Sequence, residues 1–313
     1  MASDEPDHKP RVSPTTAPTG AAGVVPGRDA PPRFGPGTVL AGRYRVERFI
    51  ARGGMGEVYE AVDLALQERV AVKTLRQAGA ADAAAVERFK REIHLARRVT
   101  HRNVSRIFEL GFHREPGAEA DTLFLTMELL AGQTLADHVA GQGRLTERAA
   151  LPIVQQLAAG LGTAHDAGVV HRDLKSHNVI LVPERSGLRA VITDFGIALA
   201  PGSEPDDGDQ PIVGSPAYMA PEQVAGEPVG PAADVYALGV VLFEMVTGHW
   251  PYEDQDALRQ ARRRLTEPPR SPRELVPRLA ATWERVILRC LARDPAARFT
   301  DAREVARELA GRR

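Results

Sequence analysis

The sequence predicts an α+β protein of two unequal lobes, a small β-rich lobe followed by a larger, mainly helical one. Three observations carry that reading. Short alternating or apolar runs crowd residues 44–130, with a single helical stretch among them. Beyond residue 131 the apolar positions recur at helical spacing. One stretch, DVYALGVVLFEMVTG at 234–248, is apolar on nearly every face, as a helix buried in the middle of a lobe must be.

The bulk numbers frame these lobes. A chain of 313 residues that is 43% hydrophobic can bury a sizeable core. Lys+Arg 40 against Asp+Glu 41 leaves a formal charge of −1, which gives no overall pull toward nucleic acid or an anionic membrane. The one cysteine, Cys290, excludes an internal disulfide and a cysteine-rich zinc site, and fits a reducing, cytoplasmic compartment. The first residues, MASDEPDHKPRVSP, lack the apolar core of a signal peptide. No run of about 18 apolar residues is present, so no membrane span is expected. Residues 1–36 hold eight prolines and little periodicity, and are expected to form a disordered Pro/Gly-rich tail bearing modifiable hydroxyls at Ser3, Ser13, Thr15, Thr16 and Thr19. The folded domain is expected over 37–313, with its small lobe at 44–130 and its large lobe at 131–311.

In the small lobe, YRVERFI (44–50), VYEAVD (58–63) and RVAVKTL (69–75) read as three strands. The stretch 81–99 places Val86, Phe89, Ile93 and Ala96 at helical spacing. IFELGF (107–112) and LFLTMELL (123–130) add two strands around a polar loop, making five in a mainly antiparallel sheet. In the large lobe, 146–168 is a long helix with a proline near its start. NVILV and AVITDF bracket a turn at PERSG, and the segments 283–294 and 301–311 are helical again.

Between the first two strands lies IARGGMGEVYEA, with Gly53, Gly54 and Gly56 among four consecutive positions. Glycine weakens a strand, so something must approach that backbone closely, and phosphate is the obvious candidate. The turn is a weak signal alone. In order after it come Lys73 within VAVK, Glu92 on the following helix, HRDLKSHN (171–178), DFG (194–196) and APE (220–222). This set, in order, spacing and context, resembles the bacterial Ser/Thr protein kinases of eukaryotic (Hanks) type across about 44–311. The forms GGMGEVY and YMAPEQ are similar to that bacterial branch in particular.

The resemblance implies the two-lobed protein-kinase fold and transfer of the γ-phosphate of Mg·ATP to Ser/Thr hydroxyls of proteins, with autophosphorylation, in bacterial signalling. It assigns Asp173 as the base, Lys73 to the α- and β-phosphates with Glu92 as its partner, and Lys175 to the transferring phosphate. Asn178 and Asp194 would hold Mg2+, as hard oxygen donors for a hard cation. The ATP site would be Ile50, Ala51, Arg52, Gly53, Gly54, Met55, Gly56, Glu57 and Val58 from the hairpin, with Ala71, Lys73, Met127 as gatekeeper, Glu128, Leu130 and Ile180. Each apolar member would be an ordinary core residue in any other fold. His171 reads as a packed core histidine. Glu222 is implied to pair with Arg298, and Asp234 to anchor the catalytic-loop backbone. Relatives also dimerise through the small lobe.

Two departures stand out. The first glycine of the family's loop is Ala51 here. Where relatives carry a phosphorylated T-x-T pair, this chain has Asp207 and Asp209, while Arg172, which would receive the phosphate, is retained. The carboxylates either stand in part for phosphate or belong to a solvated acidic loop. Ser203 and Ser215 remain as hydroxyls there, with Ser215 expected to position Asp173 and the substrate. The basic run RQARRRLTEPPRSPR (259–273) reads as a solvated face or a docking patch for an acidic partner. Two rival classes are a nucleotide-binding pseudokinase scaffold, disfavoured because Lys73, Asp173, Asn178 and Asp194 are all present, and a small-molecule phosphotransferase, disfavoured by the intact APE segment.

Overall fold

The computed structural model describes residues 31–53, 56–75, 83–118, 121–195 and 215–311, leaving aside the side chains of 83–86 and 88. The small lobe is one sheet of β1 (Val39–Leu40), β2 (Tyr44–Gly53), β3 (Gly56–Asp63), β4 (Glu68–Thr74), β5 (Ile107–His113) and β6 (Thr122–Met127). Its order is β1-β2-β3-β4-β6-β5, antiparallel throughout, with helix α1 (Ala83–Ala96) between β4 and β5. The five expected strands are all there, and the two-residue β1 adds a sixth at the edge. A run that short carries no periodicity, which is why the sequence did not announce it.

The packed part also reaches back into the expected tail. Phe34 is 3% exposed, with its ring 5.9 Å from that of Tyr59 and 5.6 Å from that of His113. The Arg33 N–H donates to Glu57 Oε2 at 3.0 Å, and the Phe34 N–H to the Tyr59 hydroxyl at 3.2 Å. Residues 31–36, expected as tail, thus strap the outside of the sheet, because one aromatic at Phe34 finds an aromatic niche that composition alone cannot reveal.

The large lobe opens with β7 (Gln133–Thr134), α2 (Leu135–Gln142) and α3 (Glu147–Asp166), the last capped by the Thr146 hydroxyl, which accepts from the Ala149 N–H. Strands β8 (Val179–Glu184) and β9 (Gly187–Ile192) form the expected hairpin, and β7 completes a three-stranded sheet. Then follow α4 (Pro221–Ala225), α5 (Pro231–Thr247), α6 (Ala257–Thr266), α7 (Pro272–Leu275), α8 (Ala281–Cys290) and α9 (Ala302–Leu309). Helix α5 is buried along its length from Ala233 to Thr247, as its unbroken apolar sequence requires. Among the described residues no helix is long and apolar enough to cross a membrane.

One buried ion pair ties the lobe together. Arg298 Nη1 and Nη2 donate to Glu222 Oε1 and Oε2 at 2.7 and 2.8 Å, the fork-to-fork geometry that a planar guanidinium favours. The same arginine donates to the carbonyls of Ala232, Ala292 and Arg293. With Arg298 1% and Glu222 5% exposed, neither charge has water to fall back on. Glu222→Ala, which strands the arginine, is expected to lower unfolding free energy by about 3–5 kcal/mol. Urea denaturation checks this, and a loss below about 1 kcal/mol would mean the pair behaves like a surface one.

Candidate active site

The site is built upward from α5. Asp234 stands in its first turn, where the helix dipole favours a negative charge, and is 1% exposed. Its Oδ2 accepts the His171 N–H at 2.8 Å and its Oδ1 the Arg172 N–H at 2.9 Å, while His165 Nε2 lies 2.8 Å from Oδ2. Two successive loop amides are thereby fixed, as the sequence implied. Arg172 takes φ 65°, a region that costs a non-glycine residue energy and persists only where the surroundings impose it.

His171 is a core histidine, as expected. Its Nδ1 accepts the Asp173 N–H at 3.2 Å, which leaves the proton on Nε2 to donate to the Thr193 carbonyl at 2.8 Å. Its ring packs against Phe195 with centroids 4.5 Å apart. Through it the catalytic loop is joined to the strand end that presents Asp194.

The loop groups converge. Lys175 Nζ donates to Asp173 Oδ2 at 2.8 Å and to Ser215 Oγ at 2.9 Å. Asn178 Nδ2 donates to the Asp173 carbonyl at 2.8 Å and to its Oδ2 at 3.3 Å. The Asn178 side-chain carbonyl is thereby directed away from Asp173. Next door, the Thr193 N–H and hydroxyl both donate to the Asn178 main-chain carbonyl, at 2.8 and 3.2 Å, so Asn178 and Asp194 are held on adjoining backbones. Ser215, expected to position Asp173, does so through Lys175.

Across the cleft one expectation fails. Lys73, 6% exposed on β4, pairs with Asp194 Oδ2 at 2.7 Å and not with Glu92. Glu92 instead faces Arg172, at 3.6 Å from its Nη1. A buried ammonium takes the carboxylate that reaches it, and Asp194, at φ 68°, turns its side chain onto the lysine. Burial opposes ionisation of Asp194, but the charges around it, Lys73 with its hydrogen bond foremost, together outweigh it and hold the carboxyl below its ordinary range. Arg172, implied as a phosphate receiver, is engaged by Glu92 here.

The apolar pocket is laid out by strand register. Ala71 pairs with Met127 and Lys73 with Leu125, while Val58 lies opposite Ala51 on β2 and Lys73 on β4. Thr134 pairs with Ile180, and a Cβ on Gly132 would sit 2.3 Å from the Leu181 carbonyl, so the segment after Leu130 is pressed onto the strand that carries Ile180. Met127 is 6% and Ile50 39% exposed. The Glu128 N–H is used by the Arg106 carbonyl at 2.9 Å, so only its own carbonyl remains for a ligand. In the hairpin, Gly53 has no atom within 4 Å of where a Cβ would stand, whereas a Cβ on Gly56, at φ +147°, would fall 1.8 Å from the Thr74 carbonyl oxygen. Gly53 leaves room above the cleft, and Gly56 is required by its own fold. Arg52 and Glu57, expected at the ligand, pair with each other at 2.6 Å, and Arg52 also donates to the Pro31 carbonyl. Gly54, Met55, Gly196, Ser203, Asp207 and Asp209 lie outside the described residues.

Sequence reasoning missed a buried network beside the loop. The Tyr218 hydroxyl donates to Glu244 Oε2 at 2.6 Å and lies 2.9 Å from Ser176 Oγ, which in turn reaches Glu244 Oε1 at 3.1 Å. Burial pushes the Glu244 carboxyl up. Ser176 next to Lys175 was the only available signal. The basic run 259–273 proves largely self-neutralised: Arg259, Arg263, Arg270 and Arg273 pair with Asp254, Glu267, Glu274 and Glu284, and Arg264 is buried. Among the described residues no cluster of three or more His, Cys, Asp or Glu could hold a metal ion. The Asn178 and Asp194 oxygens suit a hard cation that takes its remaining ligands from water and phosphate.

A family model described as the protein kinase domain matches residues 44–309. Serine/threonine-protein kinase PknA of Mycobacterium tuberculosis is 39% identical over 281 residues, which cover 88% of this chain and 64% of that protein. Serine/threonine-protein kinase PrkC of Bacillus subtilis is 35% identical over 273 residues, 87% of this chain and 41% of that protein. The chain therefore spans less than two thirds of the length of these curated relatives. Among solved structures, the Mycobacterium tuberculosis PknI kinase domain superposes with a TM-score of 0.70 at 30% identity, covering 89% of this chain and 99% of that one.

The Lys73–Asp194 pair has a pH signature. A carboxyl whose pKa is depressed by folding contributes stability above its unfolded pKa of about 4, lost as pH falls through the folded value. The stability difference between the wild type and Asp194→Asn is therefore expected to be larger at pH 7 than at pH 3, by chemical denaturation at both. A difference independent of pH would contradict the pairing.

Proposed function

Because the chain belongs to the protein kinase domain family, we propose that it is a Ser/Thr protein kinase that moves the γ-phosphate of ATP onto protein hydroxyls, its own among them. The observation that carries the reading is the convergence of Asp173, Lys175 and Ser215 on one side of a cleft that Lys73 reaches from the other side to pair with Asp194. The catalytic apparatus of a phosphoryl transferase is mostly positioning and charge, and these groups supply both.

In this reading the adenine lies between Val58 and Ala71 above and Ile180 below, with Met127 behind it. The Glu128 carbonyl and Leu130 N–H meet the base edge. Gly53 leaves the hairpin backbone free to close over the phosphates. Lys73 would turn its ammonium to the phosphates, and Glu92, now on Arg172, is the carboxylate placed to take over that ammonium. Asp173 Oδ2 accepts the proton of the attacking hydroxyl as the new O–P bond forms and the bond to the β-phosphate oxygen breaks, with ADP leaving. Lys175, already on Asp173, compensates charge on the transferring group. Asn178 and Asp194 would hold magnesium, which when bound neutralises the phosphate oxygens. Ser215 brings the acceptor segment next to Asp173.

The residues give a pseudokinase scaffold no support, since Lys73, Asp173, Asn178 and Asp194 are all present. Incubation with γ-labelled ATP, magnesium and myelin basic protein is expected to label Ser or Thr. Asp173→Asn is expected to lower the rate at least about 10²-fold with ATP affinity held. Labelling by Asp173→Asn at the wild-type rate would remove Asp173 from the role of base, and a wild type that binds ATP and labels nothing would favour the scaffold.

A further inference from the structure

Arg264 is the one buried arginine of the basic run. It is 1% exposed, and among the described residues no carboxylate pairs with it. Its Nη1 donates to the Met219 carbonyl and its Nη2 to the Ala217 carbonyl at 3.4 Å. Its guanidinium carbon stands 5.6 Å from the ring centre of Tyr252 and 5.9 Å from that of Tyr236. Tyr252 is itself fixed, donating its hydroxyl to the Glu267 carbonyl and accepting from Gln260 at its own carbonyl.

A buried arginine is a poor choice for stability alone. Burial pulls its guanidinium below the usual range, and its Nε is buried without a partner. An apolar side chain of the same volume would fill the space at lower cost. What the arginine does there is reach two main-chain carbonyls at once with a planar fork.

Those carbonyls belong to the turn over 215–218, closed by the Tyr218 N–H donating to the Ser215 carbonyl at 2.9 Å, and to the residue that follows it. Its front end is held by Lys175 on the Ser215 hydroxyl, and Tyr218 by Glu244. Arg264 supplies the third hold, from helix α6, an element that contributes nothing to the nucleotide cleft. We propose that Arg264 is a positioning residue for the protein substrate, fixing the turn at 215–219 so that the acceptor hydroxyl meets Asp173. This rests on the kinase reading above. Loosening the turn leaves the ATP pocket intact and displaces the acceptor, and displacements near 1 Å are worth up to about 10²-fold in rate.

The test is steady-state kinetics of the full chain, comparing wild type with Arg264→Met and Arg264→Lys, varying ATP and myelin basic protein separately. For Arg264→Met the KM for myelin basic protein is expected to rise, or kcat/KM for it to fall, by about tenfold or more, while the KM for ATP moves less than about twofold. Arg264→Lys, which keeps the charge and loses the planar fork, is expected to fall between. If Arg264→Met does not fold, the lysine variant carries the same comparison. Unchanged protein-substrate kinetics in a variant of an active wild type would overturn this inference alone. Equal losses toward ATP and protein, tracking a lower melting temperature, would make Arg264 merely structural and overturn it too. A wild type that binds ATP but labels nothing would overturn the kinase reading, and this inference with it.

Discussion

Asp234 is the carboxylate on which the catalytic geometry hangs. It is buried at the positive end of the most buried helix in the protein, and it spends both oxygens on the His171 and Arg172 amides. Three of the candidate site residues, Asp173, Lys175 and Asn178, follow those amides directly in the chain. A short loop with three polar side chains aimed at one point has many looser alternatives, and conformational entropy would favour them. The left-handed backbone at Arg172 shows how tightly the choice is imposed.

The two halves of the site are held differently. The lower half is set into the core of the large lobe through Asp234, through His171 on Thr193, and through the Glu244, Tyr218 and Ser176 network. The upper half rests on ion pairs at the mouth of the cleft, Lys73 with Asp194 and Arg172 with Glu92. A charge pair can hand its cation to an incoming anion without leaving it uncompensated, whereas a packed core has no such substitute. In the proposed function the base and acceptor platform stay fixed, and adjustment falls to Lys73 and Glu92.

Much of this was legible in the sequence. The order and spacing of Lys73, Asp173, Asn178 and Asp194 located the site, and the apolar run at 234–248 located the helix beneath it. The Glu222–Arg298 pair and the Asp234 anchor also followed. What escaped was of three kinds. Partner choice among several nearby charges, as with Glu92, depends on a backbone angle at Asp194 that no pattern encodes. Contacts made by isolated residues, such as Phe34 in the niche of Tyr59 and His113, leave no periodicity. Arg264 was hidden among neighbouring arginines, because whether a charge in a helical run faces water or core is decided by what packs against it.

In the proposed function one buried carboxylate, Asp234, holds the loop of Asp173 in its working shape. Replacing Asp234 with asparagine keeps the size and removes an acceptor, turning a donor toward an amide that already donates. Phosphate transfer from labelled ATP, measured beside ATP affinity and the unfolding transition, reads the effect of this loss. Asp234→Asn is expected to give a folded protein that still binds ATP and transfers phosphate at least about 10²-fold more slowly. A folded Asp234→Asn variant with the wild-type rate would contradict it.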